Sequence, residues 1–198
     1  MSTAEVRPTR QRADKARNRS HILDVAEEFF SQHGVGGSLE TIAKRAGVGP
    51  GTLYRHFPTR EALIAALLQA RYEQLFDRFG IIKAESSDSN HALEQWLDAL
   101  GEYVTAFDGL PAPLRVALSE ESSPLAITCQ AFITATDELL TAAQRDGYAR
   151  PWIRSRELFL SVLATAWLRG AALADESSSR ALRAILRSGW AEPAPTAE

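Results

Sequence analysis

The sequence has a single cysteine, Cys129, so it can close no internal disulfide and offers no cysteine set for zinc. A bridge-held secreted scaffold is excluded, and a reducing cytoplasm is the expected setting. It has no long apolar run either: the strongly apolar stretch Leu158 to Leu168 falls far short of the roughly 20 residues that span a bilayer, so no membrane partner is expected. The N-terminal residues are basic with no apolar segment behind them, unlike a signal peptide. The four histidines contain no HExxH pair. The glycine run GVGPG lacks the lysine and hydroxyl residue of a phosphate loop and follows a helical pattern, not a strand. Acid pairs such as Glu27-Glu28, Glu120-Glu121 and Asp137-Glu138 are adjacent, so they diverge on a helix and read as solvated surface. These absences argue against an enzyme, and neither a cofactor nor a metal is expected. What is present is 198 residues, 45% of them apolar, enough to bury a core in one domain or two small ones. Cys129 itself reads as a small buried hydrophobe.

The charge is unevenly distributed. Residues 1–60 carry ten basic side chains against six acids, a surplus of four, so with an overall charge of -3 the remainder holds -7. Six of those cations fall between Arg7 and Arg19, with Asp14 the only acid among them. One end is therefore suited to a polyanion, and the other is not.

Almost every periodic segment repeats at 3.6 residues, and no β-alternation or internal repeat is found, so the fold class is all-α. Behind a basic arm, residues 1–19, expected to be flexible, the first helix runs from about Asp14 to His33. It has Ile22, Ala26, Phe29 and Phe30 on one face and Gly34 as its stop. Ser38 can cap a second, short helix with apolar Leu39, Ile42, Ala43 and Ala46, and Gly49-Pro50 opens a third over Gly51–Phe57. Thr59 caps a long fourth helix. Further helices are expected after a cap at Ser89 or Asn90, at Leu114–Leu118 beyond the breaker GLPAP, and from Ser123-Pro124 to Asp146. Two more follow at about Pro151–Ala174 and Ser178–Trp190, then a disordered tail, residues 191–198.

Two short helices joined by a glycine-containing turn, SLETIAKRAGVGPGTLYRHF, are a helix-turn-helix pattern, whose second helix enters the major groove of DNA. Leu39, Ile42, Ala43, Val48 and Leu53 have the spacing to pack against the first helix, which leaves Thr52, Tyr54, Arg55 and His56 outward. From Ile22 to about Ala66, the motifs ILDVAEEFF, HG, IAKRAGV, GTLYRHF and P-T-R-E-A-L resemble, in order and spacing, the DNA-binding domain of the TetR family of transcriptional repressors. The resemblance implies an N-terminal three-helix DNA-binding domain, residues 20–60, and a C-terminal helical ligand-binding and dimerisation domain, residues 61–190. It implies that Tyr54, His56, Arg60, Ser38 and Thr41 contact phosphates and that Gly51, Thr52 and Arg55 face base edges; arginine suits guanine. Many relatives have Ser-Lys where this chain has Gly49-Pro50, a lost contact for which the basic arm can compensate in the minor groove.

Reading a palindromic operator needs two such helices about 34 Å apart, hence a homodimer. The resemblance assigns the dimer interface to the last two helices, here Leu158, Val162, Ala166, Leu173, Leu182, Ile185 and Leu186; an internal core is the other explanation of these positions. It also implies an unidentified small-molecule effector in an apolar pocket, for which Trp96, Tyr103, Phe107, Phe132, Phe159 and Trp167 are candidates, although each residue taken singly is equally explained as core. The expected function is thus a ligand-responsive repressor. The alternative, a non-specific or architectural DNA-binding protein, is disfavoured by the acidic charge beyond residue 60.

Overall fold

The computed structural model describes residues 10–170 and 175–192, and nine helices are found among them. α1 (Arg10–His33) ends where Gly34 takes a φ of 71°, a left-handed turn that a side chain would strain, and its N–H closes on the Phe30 carbonyl at 2.9 Å. Ile22, Ala26, Phe29 and Phe30 form its buried face, as their spacing predicts. α2 (Leu39–Arg45) is capped by the Ser38 hydroxyl, which accepts the Thr41 N–H at 3.3 Å. α3 (Pro50–His56) begins on a proline that has no donor to leave unsatisfied, and it buries Leu53. The three helices close over a small core to which Ile42, Leu53 and Phe57 contribute; burying each such side chain stabilises by roughly 1.5–3 kcal/mol.

α4 (Arg60–Glu85), capped by Thr59, is the longest element and carries the chain from this cluster into the rest of the molecule. There α5 (Ser89–Val104), α7 (Ala126–Arg145) and α8 (Ser155–Gly170) pack together, with α6 (Pro111–Ala117) against α7 and α8, and α9 (Glu176–Trp190) along α8. The buried Trp96 indole donates to Thr136 at 2.9 Å, and Thr136 donates to the Phe132 carbonyl at 2.8 Å, so this polar pair is satisfied inside the core. Cys129 is buried with its thiol against the Leu114 carbonyl, and burial pushes its pKa up to about 12, so it is an inert packing residue.

Several boundaries differ from the sequence expectation for local reasons. The arm is helical from Arg10 onward, and residues 1–9 lie outside the described residues. α5 is capped by Asp88, whose carboxylate accepts the His91 N–H at 2.8 Å, in preference to Ser89 or Asn90. α6 starts within GLPAP, because Pro111 in a first helical turn breaks nothing. Residues 191 and 192 are not free tail: Ala191 bridges Ala149, and the Glu192 N–H donates to the Tyr148 carbonyl at 2.8 Å. The other tail residues, 193–198, and Leu173 of the expected interface lie outside the described residues.

Candidate nucleic-acid interface

The short α3 turns Leu53 and the following Phe57 into the core and leaves Gly51, Tyr54 and Arg55 exposed, with Thr52 and His56 half-buried beside them. Arg55 lies along its own helix, donating to the Gly51 carbonyl at 3.0 Å and to the Thr52 hydroxyl at 3.3 Å. These are exposed bonds that water can replace, so the guanidinium can extend. The N-terminal part of α1 brings further cations to the same edge. Arg19 lies over the Phe57 ring at 5.2 Å, and the charges of Lys15, Arg19 and Arg55 all act on His56. Burial first, and then those cations, hold the His56 imidazole below its usual pKa, so it is neutral at neutral pH.

Two residues expected on the DNA backbone meet a carboxylate instead. The hydroxyls of Ser38 and Tyr54 donate to Glu40 at 2.8 and 3.3 Å, while Thr41 stands half-buried one turn along. Glu40 also accepts its own backbone N–H, and these bonds hold its carboxyl below the ordinary range. A phosphate on either hydroxyl would have to displace this carboxylate, a competition the residue pattern did not suggest. Arg60, expected to reach a phosphate, turns inward: its Nη1 donates to the Val35 and Gly37 carbonyls, each at 2.6 Å. It therefore ties the start of α4 to the segment that leads into α2. Gly37 fits there for want of a side chain, because a Cβ would lie 2.4 Å from the Phe29 ring.

The same segment is docked on the other half. The Val35 N–H donates to the Asp108 carbonyl at 2.8 Å, and the Phe30 and Phe107 rings meet edge to face at 6.4 Å. Arg71 of α4 spans this joint, lying over Phe107 at 5.5 Å and pairing with Glu27 of α1 at 3.6 Å. Phe107 is thus a joint residue, apart from the other expected pocket rings; together with Trp167, which is 53% exposed, it lines a separate cleft beside Asp108 and Arg169. Trp96, Tyr103, Phe132 and Phe159 do come together, with Phe76 and Phe79 of α4 among them. Tyr103 and Phe159 meet the Phe132 ring edge-on at 5.0 and 5.8 Å, and Phe79 lies 4.9 Å from Trp96. This is a packed cluster in direct ring contact. The Tyr103 hydroxyl within it is buried without a hydrogen-bond partner among the described residues, and burial pushes its pKa up.

Of the expected interface residues, Leu158 and Ala166 are buried in the protomer itself and cannot face a second copy. Val162 and Leu182 are half-buried. The outer face of α8 is instead made by Leu160, Ala164 and Trp167, and α9 exposes Ile185 at 65% and Leu186 at 38%. A helix apolar almost all round hides which strip is inner, and a one-residue shift along it exchanges the two.

A helix-turn-helix with an outward α3, carried on a larger helical domain by one long helix, defines a DNA-binding transcriptional regulator. The comparisons with known proteins agree. The model of the tetR family of bacterial regulatory proteins matches residues 22–67, and that of the C-terminal domain of SbtR-like transcriptional regulators matches residues 88–191, more than half of the chain. The chain belongs to the TetR family of transcriptional regulators, and it is not an enzyme. The TetR transcriptional regulator SCO0520 of Streptomyces coelicolor is 33% identical, with 90% of this chain and 99% of that one covered at a TM-score of 0.54. The transcriptional repressor KstR2 of Rhodococcus jostii is 24% identical over 198 residues, 94% of this chain and 97% of that protein. The regulator UidR of Escherichia coli is 42% identical over 62 residues, which cover 31% of this chain and 32% of its own length. No helix among the described residues is long and apolar enough to cross a membrane.

Proposed function

We propose that the chain is a cytoplasmic repressor that binds a palindromic operator as a homodimer and is released by a small apolar or amphipathic effector. The observation that carries this reading is the disposition of α3: its apolar residues go to the core, and Tyr54 and Arg55 stay at the surface, held only by exposed bonds that a phosphate or a base can replace. Residues 20–60 form the reading domain and residues 61–190 the regulatory one. Arg55, Thr52 and Gly51 meet base edges; Tyr54, His56, Ser38 and Thr41 meet phosphates once Glu40 is displaced; Arg60 positions the motif from within. Leu160 and Trp167 of α8 with Ile185 of α9 supply an exposed apolar strip for the second copy, whose presence sets the separation of the two α3 helices. The R. jostii relative is named a repressor, which supports repression over activation. α4 is suited to carry the effector's signal, because it begins at the Arg60 tie and ends among the regulatory helices. A coupling of about 1–3 kcal/mol would weaken operator binding roughly 5- to 150-fold.

A gel-shift titration on palindromic and random duplexes at two salt concentrations tests the reading. A palindromic preference with a steep salt slope is expected; equal affinity for all sequences would instead support the architectural alternative. Replacing Arg55 by Ala is expected to cost about 1–3 kcal/mol and to relax selectivity at one base pair. Unchanged selectivity in that variant would remove Arg55 from the base-reading set.

A further inference from the structure

α9 turns its faces the opposite way from an ordinary surface helix. Arg180, Arg183 and Arg187, spaced i, i+3, i+7, face the body of the protein, where they line a cleft of about 630 Å³ between α5, α8 and α9. Ile185, on the far side of the helix, faces outward. Arg78 of α4 and Arg169 at the end of α8 complete the basic lining. Opposite them α5 presents Glu94, Asp98 and Glu102 at successive turns. Arg187 pairs with Glu94 and Arg78 with Glu102 at the rim. Five guanidinium groups and three carboxylates line the cleft. Among the described residues no carboxylate pairs with Arg169 or Arg180. Beneath the charges the lining is apolar: Leu97, Val162, Ala166, Leu186 and the buried Trp190. A cleft that is basic above and apolar below, of a size within the roughly 300–1,000 Å³ usual for small-molecule sites, suits a ligand with the same division.

We propose that this cleft is the effector site and that it takes a small amphipathic anion, a carboxylate or phosphate monoester on an apolar body. The guanidinium groups hold the head and the apolar lining takes the body. The inference rests on the effector-responsive reading above and adds to it the place and charge of the ligand. It separates the site from the aromatic cluster, whose rings already fill one another's contacts. Pairing of two copies through the Ile185 face leaves the cleft open, since the arginines lie on the other side of α9. The site also reaches the DNA-binding end: an anion that draws Arg78 from Glu102 acts on α4, the helix whose first residue is Arg60.

Calorimetric titration of the 198-residue chain without DNA tests this, with dodecanoate, dodecyl phosphate and dodecanol as probes. Both anions are expected to bind, and the alcohol at least about tenfold more weakly. The double variant Arg169→Gln with Arg180→Gln changes two exposed side chains and so leaves the fold intact. It is expected to weaken dodecanoate about tenfold without changing dodecanol, whereas Tyr103→Phe, in the aromatic cluster, is expected to change neither. Dodecanol binding as tightly as dodecanoate, or a loss of binding in the Tyr103 variant alone, overturns the assignment. Adsorption to phosphatidylglycerol vesicles with no uptake of free dodecanoate likewise overturns it, by making a lipid surface the ligand. Uptake of dodecanoate that leaves duplex affinity unchanged supports the cleft but contradicts effector-controlled release. Absent uptake with intact operator binding removes the cleft and leaves the DNA-binding function standing.

Discussion

The DNA-binding end and the regulatory half use the same two residue types in opposite ways. At the DNA-binding end exposed cations lie over aromatic rings: Arg45 over Phe29 and Arg19 over Phe57. In the regulatory half rings pack on rings, and the arginines of α9 turn inward while Ile185 faces out. A surface meant for a polyanion keeps its cations outside and its apolar residues within. Under the proposed function, the surface that would meet a second copy of the chain does the reverse, which would leave its arginines available to a ligand.

The sharpest test of that contrast is Phe132→Ala. If the regulatory rings are a packed core, the variant loses about 3–5 kcal/mol in urea unfolding; a loss under about 1 kcal/mol would mean that they line an open pocket. Next in size is the outward apolar face. Trp167→Glu with Ile185→Glu is expected to leave helical content intact, to yield a monomer in sedimentation velocity, and to weaken operator binding about a hundredfold or more. A dimer that survives this change uses another face.

At the DNA-binding end, Arg60→Ala is expected to cost about 2 kcal/mol of stability, because the Val35 and Gly37 carbonyls lose a charged donor. It should weaken all duplexes alike. Full stability with reduced duplex affinity would return Arg60 to the phosphate backbone. A smaller effect is expected of Glu40→Gln, which removes the carboxylate held by Ser38 and Tyr54: affinity for every duplex should rise several-fold, most at low salt. The smallest concerns His56. Its pKa in the fold lies below the usual 6.5, so the stability it contributes is complete above that pH and is lost as pH falls through the lower value. A phosphate against the ring favours the charged form. Duplex affinity is therefore expected to rise as pH falls from about 7.5 to about 6, and His56→Gln should abolish that slope.

The DNA-binding domain was legible in the sequence because its determinants are local. Gly34 ends α1, Ser38 and Thr59 cap, Pro50 starts α3, and each acts within four residues of itself. The regulatory half was legible as helices but not as a site. Leu158 and Ala166 look the same as Leu160 and Ala164 in a helix apolar almost all round, and only packing against α5 and α7 decides which pair is buried. Arg180, Arg183 and Arg187 show their common face by spacing, but the carboxylates that face them stand on α5, far earlier in the chain. Glu40 in the first turn of α2 suits the helix dipole, but that the Tyr54 hydroxyl reaches it depends on how α3 lies across α2.

Footprinting on duplexes whose two half-sites lie one helical turn apart, about 10 base pairs, or are offset by a further half turn, tests the central claim most directly. Two copies of the chain holding α3 at a fixed separation should protect both half-sites in the first duplex, at one stoichiometric step of two protomers, and lose most of that affinity in the second. Equal protection of both duplexes, or saturation at one protomer per site, would contradict it.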